Sequence, residues 1–307
     1  DKSAAEYVTN VLKNQNFSED EVAQVNVTNE GIGVIPIPNG FQHVSIKDDN
    51  GNETSTVSGG YVIKDVSGTE TDGNEFVWVP VNDMSTFIRE VGYYKNSSTN
   101  KVLPQDSGFV KTREPSDEAS DADKEEYNKM MASVSKYHGF YMGRYEASKN
   151  ATTNKAQSIA DQDPLSSILW TKMVEYARDV YSSTREGIKE KDPVSTLVYG
   201  VQWDQTVRWL SETNYSGIKT NPSTSYGNFS SSVVNTGSNK NYSLNNIYDM
   251  RGNVDEATME GQGDKGWYIT RGGQYTGAAN STISYRNNIR TNMYSAGSGF
   301  RMALYLI

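Results

Sequence analysis

The sequence predicts an α+β fold: a small, twisted, mostly antiparallel sheet with two helices packed on it and loops supplying much of the volume. Three observations carry that expectation. Glu75-Phe-Val-Trp-Val-Pro-Val is an apolar, β-branched and aromatic run of strand length. Residues 168–181 place Ile168, Leu169, Met173, Val174, Ala177 and Val180 near helical spacing, and 199–210 repeat the pattern with Trp203, Val207, Trp209 and Leu210. Finally, 26 Gly against 8 Pro suits a turn-rich globule better than a helical bundle.

Taken in order, residues 2–25 suggest a helix with Tyr7, Val8, Val11 and Leu12 as its apolar stripe, ending in an acidic turn. So short and apolar-poor a helix does not stand alone in water. It is expected to pack on the main domain or another chain, or to continue a helix upstream. Residues 1–30 are therefore read as an N-terminal helical segment, the remnant of an anchored stalk, and 31–307 as one domain. The prolines within 32–44 limit that stretch to an edge strand or extended lead-in. Asp48-Asp-Asn-Gly-Asn-Glu is acidic like a calcium loop but lacks the EF-hand spacing, so a hairpin turn is expected. Tyr61 begins a strand and Asp72-Gly-Asn is a turn. Residues 82–91 read as a short helix capped by Asn82 or Asp83, with Phe87 and Ile88 inward. Residues 94–125 are polar and aperiodic, which predicts a long surface excursion. A helix over 125–137 leads into a strand at 139–146, and 211–246 is expected to be a long loop clamped by its Tyr and Phe residues.

The totals exclude several functions. A formal charge of -9 and a pI near 4.9 argue against a nucleic-acid partner. Cysteine is absent, which removes disulfides, thiolate nucleophiles and Cys-based metal sites. His43 and His138 cannot build a multi-histidine metal centre within one chain. His138, beside Tyr137 and Gly139 at a strand entrance, reads as structural. No run reaches the length of a membrane span. A chain that begins at Asp1 is expected to have lost or omitted any signal or anchor.

Residues 247–307 combine three rigid blocks with a segment of another kind. Between Gly273 and Gly299 the chain is small polar residues, Asn and Tyr, with few aliphatics. Tyr gives contact area at low entropic cost, and Ser, Gly and Asn give adaptable hydrogen bonding, as in antibody loops. Arg271-Gly-Gly and Gly299-Phe-Arg are expected to anchor neighbouring strands. Arg271 and Arg301 would each grip a carboxylate or carbonyl, with Asp249 and Glu256 as candidate partners. Arg286 is expected to be framework, whereas Arg290 fits either framework or rim.

The ordered blocks Phe76-Val-Trp-Val-Pro-Val, Gly139-Phe-Tyr-Met-Gly-Arg-Tyr-Glu, Tyr199-Gly-Val-Gln-Trp-Asp, Ile247-Tyr-Asp-Met-Arg-Gly-Asn-Val-Asp-Glu, Arg271-Gly-Gly-Gln-Tyr and Gly299-Phe-Arg resemble the formylglycine-generating, sulfatase-modifying family. The resemblance runs from about Val62 to Ile307 and implies a C-type-lectin-like fold. The family's oxidases work through a cysteine pair and its sulfoxide synthases through a histidine triad. This chain has neither, so an enzyme is not expected. A second branch with this fold is similar in another way: the variable proteins of diversity-generating retroelements, whose last segment is diversified at adenines. Residue types reachable from adenine-rich codons dominate 274–298, within an implied variable region 271–301.

The resemblance thus implies a non-catalytic, ligand-binding display protein, extracellular, on a cell surface or virion. Its partner would be a protein or carbohydrate ligand on another cell or phage, with no nucleic acid. Similar chains carry a prepilin-like membrane helix upstream, which implies membrane or pilus attachment through a segment ahead of residue 1; an oligomer is compatible with this. The binding face is assigned to Tyr275, Thr276, Asn280, Tyr285, Asn287, Asn288, Asn292 and Tyr294, the Tyr residues as anchors and the Asn residues tuning specificity. No cofactor is required. A structural calcium on Asn253 and Glu256 is the one metal implied, with a carboxylate satisfied by Arg271 or backbone amides as the alternative; Ala257 stands where the family has Trp. The rival functions are a sulfatase-modifying-type enzyme with an unrecognised site and a structural pilin-like subunit.

Overall fold

Most strand-forming residues come together in two large sheets whose central strands are apolar or paired along their length and buried on both faces. The computed structural model describes residues 25–28, 31–105, 112–221, 226–263, 266–277 and 281–307. The first sheet has six strands: β1 (Phe41–His43), β2 (Val62–Asp65), β3 (Glu75–Pro80), β4 (Gly139–Gly143), β5 (Pro193–Leu197) and β10 (Met302–Leu306). Its order is β5-β10-β4-β3-β2-β1, antiparallel throughout. β3 is buried from Phe76 to Pro80 and pairs along its length with β4, as its continuous apolar run requires. β1, which follows the Pro36 and Pro38 lead-in, lies at the edge.

The second sheet holds β6 (Asp255–Gln262), β7 (Trp267–Arg271), β8 (Arg286–Arg290) and β9 (Ser298–Phe300) in the order β8-β7-β6-β9, with Thr112–Arg113 pairing the end of β6. The β6–β9 pair is parallel and the β6–β7 and β7–β8 pairs are antiparallel. β8 and β9 therefore run the same way, and residues 291–297 must carry the chain back along the sheet between them.

Three α-helices occur among the described residues: α1 (Asp121–Tyr137), α2 (Trp170–Val180) and α3 (Gly200–Thr213). α1 packs on β4 and β10, α2 on β5, and α3 on β3 and β6. α1 begins four residues before its expected start because Ser120 and Asp123 form a reciprocal capping box. It ends at His138 in the left-handed conformation, φ 58°, so that histidine is a helix cap. The stripes on α2 and α3 are buried as expected, including Met173, Ala177, Trp203 and Leu210.

Several expectations need correction. The helix over 2–25 lies outside the described residues except at its end, where Val25–Thr28 is instead a strand paired with Gly31–Val34. Residues 82–91 form only a 3-10 turn, Met84–Thr86, capped by Asp83; Phe87 is buried but Ile88 is 56% exposed. The stretch 94–125 is not simply a surface excursion. It supplies a hairpin (Tyr93–Lys95 with Val102–Pro104) and the buried Gln105, which donates to the Arg286 carbonyl at 2.7 Å. The loop 211–246 buries Asn228 and Thr236 as hydrogen-bonding pegs, in addition to its Tyr215–Tyr226 contact. The turn at 48–53 is a hairpin turn, with Asp48 accepting from the Asn50 and Asn52 amides.

The sheets meet at Arg301, the residue between β9 and β10, which is wholly buried. Its Nε donates to Glu256 Oε2 at 2.9 Å and its Nη2 to Glu256 Oε1 at 2.5 Å. The remaining donors reach the Gly143 carbonyl at 2.9 Å and the Tyr248 carbonyl at 2.7 Å. Glycine is needed on both sides of this crossing. A Cβ at Gly299 would stand 2.8 Å from Val254 Cγ2, and one at Gly143 would stand 3.1 Å from Arg301 Cγ. Removing one partner of such a pair leaves an uncompensated buried charge, so Glu256→Ala should destabilise by about 3–5 kcal/mol. Denaturant unfolding checks this, and Glu256→Ala combined with Arg301→Met should lose much less than the sum of the two single changes.

Candidate functional site

The C-terminal end of β7 and the start of β8 bring two arginines together, because Arg271 and Arg286 are register partners. Both side chains enter the core, where α3 supplies Asp204 and β6 supplies Glu260. Arg271 Nη1 donates to Glu260 Oε2 at 3.1 Å and its Nη2 to Asp204 Oδ1. Arg286 donates from Nη2 to Asp204 Oδ2 at 2.8 Å and from Nε to Glu260 Oε1 at 3.0 Å. Arg89 closes the knot from the rim, 3.2 Å from Glu260. Burial pulls the Arg286 pKa down, but Asp204 and Glu260 outweigh it and hold the guanidinium above its usual value. Arg286 is thus framework, as expected. Arg271 differs from expectation in its partners: they are Asp204 and Glu260, while Asp249 accepts from Thr236 Oγ1 and the Gly237 amide.

A second buried knot surrounds Asn253, which holds the left-handed conformation at φ 58°. Its Oδ1 accepts from Asn228 Nδ2 and the Val234 amide, both at 2.9 Å, and its Nδ2 donates to Glu146 Oε2 at 2.5 Å. Both Glu256 oxygens are taken by Arg301. Burial pushes the Glu146 carboxyl well up, reinforced by Asp249 and Glu256, and burial likewise raises Glu256 against the pull of Arg301. Calcium wants several free oxygens. Asn253 and Glu256 offer oxygens already engaged, beside a fixed guanidinium, and do not fit that ion. The partner of Glu256 is Arg301 rather than Arg271 or backbone amides.

Between these knots lies the segment assigned to binding. The Tyr275 amide donates to the Asn253 carbonyl at 2.9 Å, which seats the loop after β7 directly on the second knot. Tyr275 is half-buried and Thr276 exposed. Asn292 is exposed, Tyr294 is 69% exposed and its neighbour Met293 is 53% exposed. Asn280 lies outside the described residues. Tyr285 and Asn287 are half-buried at the start of β8.

Asn287 and Asn288 do not share one face, because successive strand residues point to opposite sides of a sheet. Asn287 donates to Asp255 Oδ2 at 3.3 Å, whereas Asn288 donates to Gln262 Oε1 at 3.1 Å. Asn288 belongs with Arg290, whose guanidinium lies 4.3 Å from the Trp267 ring centroid, placing Arg290 at the exposed rim. The faces divide accordingly. Arg271 and Arg286 occupy the buried side. Thr270, Asn287 and Asp255 occupy the other.

Asp255 was not anticipated. It sits beside Glu256 in sequence, and on a strand two adjacent carboxylates must face opposite ways, a signal the sequence carried. It is 2% exposed, and its Oδ2 accepts from the Asn287 side-chain amide at 3.3 Å, with the Thr270 hydroxyl as a second hydrogen-bonding neighbour. Burial pushes its carboxyl up to about 7, against the Asn287 amide and the neighbouring Thr270 hydroxyl. Glu114 was also missed. Its oxygens accept from the Gly200 and Val201 amides at the start of α3, and burial with the nearby Glu260 charge pushes it up to about 8.

Two outcomes follow for purified protein. Its thermal midpoint should be the same in chelator and in millimolar calcium, since a ligand that binds only the folded state would raise it. The raised pKa of Asp255 favours the neutral carboxyl in the fold, so its contribution to stability is present at acid pH and lost as pH rises through about 7. Between roughly pH 4 and 7 the unfolding free energy of the wild type should fall more steeply than that of Asp255→Asn, as read by urea melts across that range.

No family model and no curated protein matches the chain. Among solved structures it is similar to CarF, at 18% identity and a TM-score of 0.40, over 55% of this chain and 87% of the other. It is similar to Treponema denticola variable protein 1, at 12% identity and a TM-score of 0.41, over 77% and 98% of the two chains. It is also similar to PvdO from Pseudomonas aeruginosa, at 12% identity and a TM-score of 0.42, over 76% and 95%.

Proposed function

We propose that this chain is a non-catalytic display protein, of the retroelement variable type that its ordered sequence blocks resemble. It presents residues 272–297 to a protein or carbohydrate ligand on another cell or a phage. One observation carries the reading: the segment's flanks, Arg271 and Arg301, are wholly buried and paired, while Thr276, Asn292, Met293 and Tyr294 between them are exposed. Exposed side chains on so fixed a frame can change at little cost in stability, because surface substitutions usually move it by less than about 0.5 kcal/mol. Tyr is also a residue type that dominates interface energies. The extracellular setting, on a cell surface or virion, belongs to the same proposal.

The face within the segment is Tyr275, Thr276, Tyr285, Asn287, Asn292 and Tyr294, with Asn288 left to the opposite side of β8. The double change Tyr275→Ala, Tyr294→Ala should leave the melting temperature nearly intact and abolish capture of the host cells or phage the protein recognises. A variant that melts several degrees lower overturns the assignment of these tyrosines. Sequencing of the locus across isolates should find adenine substitutions clustered in 274–298, with a near-identical template repeat nearby. In the same reading, oxygen uptake by the protein with copper or iron and thiol peptides stays at background.

A further inference from the structure

The six-stranded sheet carries a cavity of its own, away from the proposed face. It has a volume of about 390 Å³ and lies where the β1 edge, the turn after β2 and the end of α2 meet. That volume is within the range of small-molecule sites, near its lower end. The mouth is open to solvent: Asn39, Ser67, Thr69 and Glu70 on the rim are exposed, whereas Val180, Tyr181 and Pro193 on the floor are buried. The length of α2 separates it from the 272–297 segment. That helix begins at Trp170, just after the Ser167 amide meets the Ser298 carbonyl, and ends at Val180 on the cavity. At 1.5 Å per residue the two ends are about 16 Å apart.

The floor is held in place. Tyr181 Oη donates to Asp65 Oδ2 at 2.7 Å, and the Tyr181 ring lies 5.6 Å from that of Phe41. Asp65 is 1% exposed and takes two further donors, Thr71 Oγ1 at 2.6 Å and the Ser67 amide at 2.8 Å. This carboxylate also orients the wall above it. A hydroxyl has one hydrogen, and Thr71 spends its own on Asp65. Thr69 must then donate to Thr71 across 3.0 Å, and Ser67 to Thr69 across 2.8 Å. The wall therefore shows an incoming group lone pairs. The other side donates. Lys155 Nζ lies 3.2 Å from the Asp179 carbonyl and 3.4 Å from Glu70. Arg185 donates to the Ser182 carbonyl at 2.9 Å and stands 3.5 Å from Asp192, whose oxygens already take Asn39 Nδ2 and the Lys189 amide. Each cation thus has a carboxylate beside it and, among the described residues, hydrogens to spare.

An ionic ligand is disfavoured, because the charges of the lining answer one another. What remains is a wall that accepts, a side that donates and an aromatic floor. A hydroxyl donates and accepts from one atom, and a sugar ring sets several hydroxyls around an apolar C–H face. We propose that this cavity binds a neutral pyranose, its C–H face on Phe41 and Tyr181 and its hydroxyls between the Ser67–Thr69 wall and the donors of Lys155 and Arg185. The site goes beyond the display reading, since it uses none of residues 272–297.

The test is an NMR titration of the full, isotope-labelled chain with the methyl α-glycosides of glucose, galactose and mannose. Each is taken to about 100 mM, since so small a ligand binds in the millimolar range. Saturable shifts are expected for at least one glycoside at the Ser67, Thr69 and Arg185 amides and the Phe41 ring. Arg185→Gln and Thr69→Val should each weaken that binding about fivefold, the worth of one hydrogen bond, with little change in melting temperature. Asp192 keeps two donors in the first variant, and Thr69 is exposed. Should either variant melt lower, the shifts on the wild type locate the sugar by themselves. Silence from all three glycosides overturns the proposal, as do wild-type affinity in both variants and an equal response to cyclohexanol. A stronger response to glycine or methyl glucuronide overturns the neutral ligand in favour of a charged one. Tyr294→Ala should leave the sugar shifts unchanged; their loss places the sugar on the 272–297 segment and overturns this site. Cell or phage capture is measured separately, so either reading can fail while the other stands.

Discussion

The guanidinium of Arg301 reaches both oxygens of Glu256 and the carbonyls of Gly143 and Tyr248, and everything else in the fold is arranged around its being buried. The chain leaves one sheet at Phe300 and enters the other at Met302. A residue at that crossing has its backbone committed on both sides, so its side chain must fill the space between sheets. An apolar side chain could fill it. It could not also satisfy the carbonyl of Gly143 at the end of β4 and that of Tyr248, which would then be buried without partners at a cost of about 1–3 kcal/mol each. The charge is tolerated because Glu256 neutralises it and every remaining direction carries an acceptor. Such a knot adds little net stability but penalises any other register of β6, β9 and β10.

The second knot, Arg271 and Arg286 with Asp204 and Glu260, serves the same end from the helix side. It joins α3 to β6, β7 and β8, so β7, which leads into the 272–297 segment, and β8, which lies within it, are fixed at one end by charge-assisted hydrogen bonds. Arg271 and Arg301 have opposite roles in the chain yet the same logic. Each ends the segment's freedom at a buried carboxylate.

Much of this was legible in the residues. The β3 run, the stripes of α2 and α3, and the burial of Arg271, Arg286 and Arg301 follow from patterns of two or three residues that local sequence displays. The partners of Arg271 were not legible, because Asp204 lies on α3 and Glu260 lies within the irregular stretch of β6 where the register shifts between Ala257 and Gly261. No count along the sequence reveals such a shift. The polar stretches 94–105 and 211–246 misled for a related reason. Gln105, Asn228 and Thr236 are buried because specific backbone groups of other segments need partners, and composition records only that such residues prefer water. Asn287 and Asn288 read as one surface on composition, and the strand period separates them.

Burial changes residue by residue along β8, so one short strand can be both anchor and display. In β8, Arg286 and Ile289 are buried while Asn287 is half-exposed and Arg290 fully exposed. Arg286 is locked by three charge-assisted hydrogen bonds, and Asn287 beside it makes one long hydrogen bond to the Asp255 carboxylate. The wild-type environment of position 287 therefore asks for a donor but not for Asn. Ser, Thr or His could make a comparable contact with Asp255, whereas any replacement of Arg286 leaves the two buried carboxylates Asp204 and Glu260 to share one buried guanidinium, that of Arg271, in place of two. A mutational process aimed at this segment would meet a steep stability penalty at 286 and a shallow one at 287, although the two positions are adjacent. The boundary between what can vary and what cannot thus runs within β8, residue by residue, and not only between the strand and the loops.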